Sequence, residues 1–296
     1  NISKDDWSNF SYDNCQAMRS VGIDAESLKL NYHISNYPKQ SEVVSIEDMI
    51  FRCMDADLIQ FVFADIYCFN NIYPHITDKK INVIYAGSAY RENPKAYHNI
   101  FNPVVNKSII ALGEFAGLGA KDEVYMVGAI DVDKIRPVYR ELKKPYLFAH
   151  HPSKTAVKGT TKILEMMQGY NFIHTNQMGS FEEQLIRYSK CDIYIELFNK
   201  ELSGKKYGSW GISALEAAAM GKPVVTMNLS EDVYKKNYGS CPLITVQNED
   251  EFKAAIATLE SMAEDEMLQL QKDTREWVVD KHSYKATGEY IVNNIL

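Results

Sequence analysis

No run of this sequence approaches the ~18 uninterrupted apolar residues of a membrane-spanning helix. The longest candidate, residues 58–68, is broken by Gln60, Asp65 and Tyr67, so no transmembrane segment is expected, and contact with a membrane surface is left open. Positive charge is not in excess: 32 Lys and Arg stand against 39 Asp and Glu, a formal net charge of -7. Duplex DNA or RNA is therefore not an expected partner, since phosphate neutralisation needs a basic footprint, whereas a local basic patch for a phosphorylated small molecule stays compatible. Cysteine is sparse. The five residues at 15, 53, 68, 191 and 241 are dispersed, odd in number and without a C-x-x-C pair, which reads as buried free thiols in a reducing, cytoplasmic setting with no metal site. Tandem repeats, low-complexity tracts and a secretory leader are absent from the sequence. It opens at Asn1, and the reading allows for a first strand of the fold lying outside it.

What is present is a 296-residue chain, 46% hydrophobic, long enough for two cores. Strand-like runs at 25–30, 58–63, 81–85, 108–112 and 124–127 alternate with helical segments at 7–21 and 46–54. A charged stretch with Pro137 and Pro145 follows, and the pattern restarts with strands at 146–149, 172–174, 192–197 and 224–227 and helices between and after them. Alternation of this kind predicts α/β architecture: two doubly wound, Rossmann-like domains facing across a cleft. The expected division is 1–140 and 141–282, with a last helix over 283–296 returning to the first domain.

The segment from Gly208 to Val225 is the most informative in the chain. It reads as a glycine loop, a short helix, a stop at Gly221-Lys-Pro223 and a buried strand. The backbone N–H groups at Gly211 and Ile212 open the helix and suit an anion. Glu216 is a carboxylate among Ala, Leu and Met, and is either a solvated residue or a group that accepts hydrogen bonds from a ligand. A second loop, His150 to Thr160, carries Ser153, Lys154 and Lys158 ahead of Gly159 and suits a diphosphate; a solvated basic loop is the plain alternative. A third loop, His174 to Met178, is placed to cover a base through main-chain groups.

Three segments, His151-Pro-Ser-Lys-Thr-Ala-Val-Lys-Gly-Thr160, Phe181-Glu-Glu-Gln-Leu185 and Gly208 to Val225, together resemble the C-terminal domain of retaining nucleotide-sugar glycosyltransferases of the GT-B fold, the group that includes sucrose synthases and many bacterial polysaccharide enzymes. The tail Glu276-Trp-Val-Val-Asp-Lys-His-Ser283 resembles the closing helices of that fold. In the first half the likeness is looser, through Asp6-Trp7 and Gly87-Ser-Ala-Tyr-Arg91. The resemblance implies that Glu216 bonds the donor's ribose and Lys158 neutralises the diphosphate, with Ser153, Lys154, Gly159, Met178, Gly211 and Ile212 around the nucleotide sugar. Asp6, Trp7, Gly87, Arg91 and Trp210 fall on the acceptor or donor-sugar side. It implies a nucleoside diphosphate sugar as co-substrate, no further cofactor, no obligatory metal, and a glycan, lipid or small-molecule acceptor. Two departures stand out: Gly208 occupies the first position of the family's usual glutamate pair, and Ala86 stands where many relatives have histidine. A sugar-nucleotide epimerase and a non-catalytic nucleotide-sugar-binding protein are the competing readings. Read on the residues alone, Asp6 suits an N-cap and Arg91 a surface ion pair; His150 and His151 are evenly divided between site and scaffold.

Overall fold

The computed structural model describes residues 1–33, 35, 37–177 and 179–296. The chain divides into two compact units, residues 1–129 with 284–296, and residues 130–283. The sequence reading puts the breaks at 140/141 and 282/283. Long-range contacts account for the first difference. Ile130 N–H donates to His282 O at 2.7 Å, and the Arg275 guanidinium donates to the carbonyls of Val132 and Ile135 at 2.7 and 2.8 Å. Lys222 Nζ donates to Val138 O at 2.6 Å. The proline-bearing segment is thereby a strap of the second unit.

The first unit is a parallel sheet of β1 (Ile2–Ser3), β2 (Leu28–Lys29), β3 (Glu42–Val43), β4 (Leu58–Phe61), β5 (Lys80–Tyr85), β6 (Lys107–Ile110) and β7 (Glu123–Tyr125), in the order β3-β2-β1-β4-β5-β6-β7. Ile2–Ser3 is a strand that the sequence patterning missed, for two residues are too few to show a period. Ile59, Phe61, Ile81 and Val83 fill the core against Phe69 and Phe101, as expected of parallel strands covered on both faces. The helices before the break are α1 (Phe10–Ser20), α2 (Ile46–Asp55), α3 (Ile66–Ile72), α4 (Gly87–Glu92) and α5 (Pro94–Phe101). The C-terminal helix Tyr284–Asn294 packs on α1, where a Cβ on Gly288 would lie 2.2 Å from Ala17 O.

The second unit has β8 (Phe148–His150), β9 (Phe172–His174), β10 (Ile193–Leu197), a two-residue hairpin β11 (Glu201–Leu202) and β12 (Lys205–Lys206), then β13 (Val224–Met227) and β14 (Ile244–Val246). Its parallel sheet runs β14-β13-β10-β8-β9. The helices are α6 (Thr155–Lys158), α7 (Thr160–Met166), α8 (Phe181–Ser189), α9 (Ile212–Ala219), α10 (Glu231–Tyr238), α11 (Glu249–Ser261) and α12 (Glu264–His282). Both sheets reverse direction of strand order, between β1 and β4 in the first and between β8 and β10 in the second; in open parallel sheets, ligands collect beyond the carboxyl ends of strands at such points. Among the described residues, no helix is long and apolar enough to cross a membrane.

Candidate functional site

The two faces of the second sheet differ in chemistry. Along β10, Ile193, Ile195 and Leu197 enter the apolar core with Phe148 of β8 and Val225 and Met227 of β13. The alternate positions, Tyr194 and Glu196, are polar yet almost wholly buried, and Thr226 of β13 bonds the Glu196 carboxylate from the neighbouring strand. An ionisable side chain inside an apolar parallel strand needs partners to offset its lost hydration. Glu196 has three. Thr226 Oγ1 donates to its Oε2 at 2.9 Å, Ser213 Oγ donates to its Oε1 at 3.0 Å, and Lys158 Nζ donates to the same oxygen.

Lys158 reaches that carboxylate because of Gly159. The glycine has φ +69°, and a Cβ there would stand 1.8 Å from Phe198 O, so only glycine lets the loop after β8 lie against the end of β10. Phe198 N–H donates to Lys158 O at 3.0 Å and closes the contact. Burial alone would lower the ammonium pKa, but Glu196, with Tyr207 and Glu216, outweighs it and the pKa is raised. Lys158 is held charged.

Helix α9 starts beside this pair. Gly208, at φ +118°, closes the preceding loop, and its carbonyl accepts Leu229 N–H at 2.8 Å. Gly211 caps α9 with extended backbone and no side-chain cap, leaving the first N–H groups of the helix to other acceptors. Alanines at 214 and 217–219 allow α9 to sit close to β10, β13 and α12, and Gly221 at φ +75° ends it, as its sequence predicts. One turn in, Glu216 is buried and accepts a long bond from Tyr188 OH at 3.4 Å. Burial raises its pKa to about 7, against the opposing pull of Tyr188 and Lys158. A largely buried ammonium and two buried carboxylates thus meet beside the open start of α9, at the ends of β8 and β10.

No protein-family model matches this sequence, and no curated protein does. Solved structures do. HepE of Anabaena, in complex with UDP-glucose, aligns with a TM-score of 0.69 at 10% identity, over 99% of this chain and 97% of its own. Sucrose-phosphate synthase of Thermosynechococcus elongatus aligns at 0.58 and 13% identity, over 95% and 90%. AviGT4, a glycosyltransferase involved in avilamycin A biosynthesis, aligns at 0.55 and 14%, over 95% and 86%. The chain has the GT-B fold.

Within the second Rossmann-like unit of this fold, the sequence candidates separate. Lys158, Glu216, Gly211 and Ile212 come together, while Ser153 and Lys154 are exposed on the loop after β8. Met178 lies outside the described residues. Gly159 serves the contact with Phe198. It joins α6 to α7, so the helix start nearest Lys154 is that of α6. Trp210 is buried among Tyr234, Trp277 and His282, with ring centroids 5.4, 6.0 and 6.2 Å away, in a scaffold cluster. His150 is scaffold too: its Nδ1 donates to Ile195 O at 2.8 Å, its Nε2 accepts from Thr160 at 2.9 Å, and burial pushes its pKa down to about 4. His151 is buried beside Tyr194, and neither ring nitrogen has a hydrogen-bond partner among the described residues.

In the first unit, Asp6 caps the entry to α1, accepting from Ser11 N–H at 2.7 Å, Tyr12 N–H at 3.1 Å and Ser41 Oγ at 2.7 Å. Arg91 is not at the surface: it is buried against Glu114 at 2.6 Å, with its guanidinium 4.9 Å from the Phe115 ring. Gly87 opens α4 directly after β5, and Trp7 is half exposed beyond β1. No cluster of three or more His, Cys, Asp or Glu side chains arranged for a metal occurs among the described residues. The site also holds Glu196, Ser213, Thr226 and Tyr188, which the sequence motifs above do not mark. The available signal was a glutamate inside the apolar run Ile193-Tyr-Ile-Glu-Leu197.

Proposed function

We propose that this chain is a glycosyltransferase that moves a sugar from a nucleoside diphosphate donor to a glycan, lipid or small-molecule acceptor, with retention and without an obligatory metal. The observation that carries this reading is the convergence of Lys158 and Glu216 at the open start of α9. Departure of a diphosphate concentrates negative charge on the leaving oxygen. A fixed ammonium and helix N–H groups at Gly211 and Ile212 stabilise that charge without reorganising. Glu216, when ionised, accepts bonds from the ribose hydroxyls, and Ser153 and Lys154 complete the diphosphate side from the exposed loop. UDP is the first nucleotide to test, because HepE was solved with UDP-glucose.

Thermal shift against UDP, GDP, ADP and CMP, followed by transfer assays with the corresponding sugars, tests the proposal. Lys158→Ala should lower turnover by about 10²-fold or more, the scale of losing one preorganised donor to a developing anion. A nucleotide-induced shift that survives Glu216→Ala would remove the ribose role. A second reading, nucleotide-sugar binding without catalysis, is favoured by the pairing of Lys158 with Glu196 and by Gly208. Calorimetric binding with no sugar ever reaching water or an acceptor would establish it. Conversion of the donor sugar with no acceptor present would point instead to an epimerase.

A further inference from the structure

Alternate residues of Ile193-Tyr-Ile-Glu-Leu197 enter the apolar core, so the sequence itself puts Tyr194 and Glu196 side by side on the other face of β10. Glu196 bonds Lys158 directly. Tyr194 reaches the second site group at one remove. Its ring meets that of Tyr188, from α8, in a T-shaped contact with centroids 4.9 Å apart, and Tyr188 OH donates to Glu216 Oε2 at 3.4 Å. Tyr194 also stacks with His151 of the loop after β8, with centroids 6.5 Å apart. Tyr188 is 0% exposed and Tyr194 1% exposed, so neither ring meets a ligand itself.

A glutamate side chain has three torsions, and the last, about the bond to the carboxylate, is soft. Left to itself, such a group presents its oxygens over a wide range of directions. Among the described residues, Tyr188 is the one side chain that hydrogen-bonds Glu216, and it takes Oε2. With Oε2 tied, the plane of the carboxylate is set. Oε1 makes no hydrogen bond among the described residues and is the oxygen left for a ligand. Burial raises the pKa of Glu216, and the Tyr188 bond opposes that rise, which favours the ionised form that ribose hydroxyls need. At 3.4 Å the bond is long for a hydroxyl donor and has room to shorten once the carboxylate is charged.

We infer that Tyr188 is a positioning residue for the nucleotide site: it fixes the carboxylate of Glu216 so that one oxygen serves the donor's ribose, with Tyr194 as its support. The inference rests on the ribose role proposed above for Glu216. It makes the preference for a ribonucleotide over a 2′-deoxyribonucleotide depend on a residue that touches neither. The diphosphate side, carried by Lys158 on its partner Glu196, is independent of Tyr188.

Calorimetric titration of the full chain with UDP and with 2′-deoxy-UDP tests it, at pH 8 so that Glu216 is ionised. The parent chain should prefer UDP by about tenfold or more. Tyr188→Phe removes one hydroxyl and keeps the ring against Tyr194. It should weaken UDP about five- to tenfold and 2′-deoxy-UDP less than about twofold, so that most of the preference disappears. Tyr194→Leu, which withdraws the supporting ring and leaves the hydroxyl, provides a second reading if Tyr188→Phe does not fold, and should lower the preference in the same sense. A lowered melting temperature with the preference intact would reduce Tyr188 to packing and overturns the inference; so does an equal loss of affinity for both nucleotides. The readings beneath it fail differently. A parent chain that does not bind UDP removes the nucleotide site, and one that binds UDP and 2′-deoxy-UDP equally removes the ribose role of Glu216.

Discussion

Glu216 sits where ionisation opposes folding. Its pKa rises from the usual 4.5 to about 7 through burial, so the folded chain holds its proton more tightly than the unfolded chain does. Stability from this group is full below about pH 4.5 and is lost as pH rises through 7. The shift corresponds to about 3 kcal/mol. Glu216→Gln should therefore raise the melting temperature at pH 8 and leave it nearly unchanged at pH 4.5, which paired thermal melts would check. Donor binding should run the opposite way, strengthening through pH 7 as the carboxylate becomes a better acceptor for ribose hydroxyls. A group that weakens the fold where it serves the ligand is a common signature of a functional site. Glu196 behaves differently, because its charge is matched. Glu196→Leu strands the largely buried Lys158 ammonium and should cost about 3–5 kcal/mol, whereas adding Lys158→Met to Glu196→Leu should recover most of that loss. Denaturant titration of the two single variants and the double variant supplies the cycle; additive losses would contradict a coupled pair. Sequence alone exposed Glu216, since it interrupts an alanine-rich helix. It did not expose the Glu196 pairing, because Lys158, Ser213 and Thr226 come from three other elements far apart in the chain.

At the scale of elements, legibility followed punctuation. Helix α9 and β13 were readable because Gly221 and Pro223 mark the only sharp stop in an apolar stretch. Helix α5 had an equally clear start in Asn93-Pro94, where the Asn93 side chain caps Ala96 N–H and proline takes the first helical position, yet it lies in a region without strong periodicity and was passed over. The β11–β12 hairpin turns on Ser203 and Gly204, both with positive φ, and its exposed lysines carry no apolar alternation. The expected helix over 7–21 begins three residues later, because Ser8 and Asn9 adopt left-handed backbone that no helix continues through. Gly159 shows the reverse: its presence was obvious and its purpose was not. Gly159→Ala should destabilise the second unit by at least ~2 kcal/mol, since it combines an unfavourable φ with a collision at Phe198 O. It should also abolish nucleotide binding by displacing Lys158. Calorimetry with UDP checks both, and unimpaired binding would mean that the loop after β8 tolerates a different path.

For the whole molecule, the parallel α/β architecture and the number of units were visible in the alternation of strands and helices, but the point of division was not. Residues 130–140, assigned to the first domain from the sequence, belong to the second unit by virtue of Arg275 and Lys222, which lie more than 80 residues further on. The first unit is closed by a helix from the other end of the chain. Tyr284 OH donates to Asp13 at 2.6 Å, Tyr290 OH donates to Tyr125 O at 2.7 Å, and Gly288 admits the α1 backbone at Ala17. This arrangement makes the two units separable by a single substitution. Gly288→Val places a branched side chain where even a Cβ would stand 2.2 Å from Ala17 O, which must push the C-terminal helix off α1. The other residues of the first unit keep their sheet but lose the cover of one helix, so its melting should move to lower temperature. The second unit contains Lys158, Glu196 and Glu216 and none of the altered contacts. Scanning calorimetry of Gly288→Val should therefore show an early transition unaffected by UDP, followed by a later one that UDP raises as in the parent chain. A single transition, lowered as a whole and unresponsive to UDP, would mean that the nucleotide site depends on the first unit being folded.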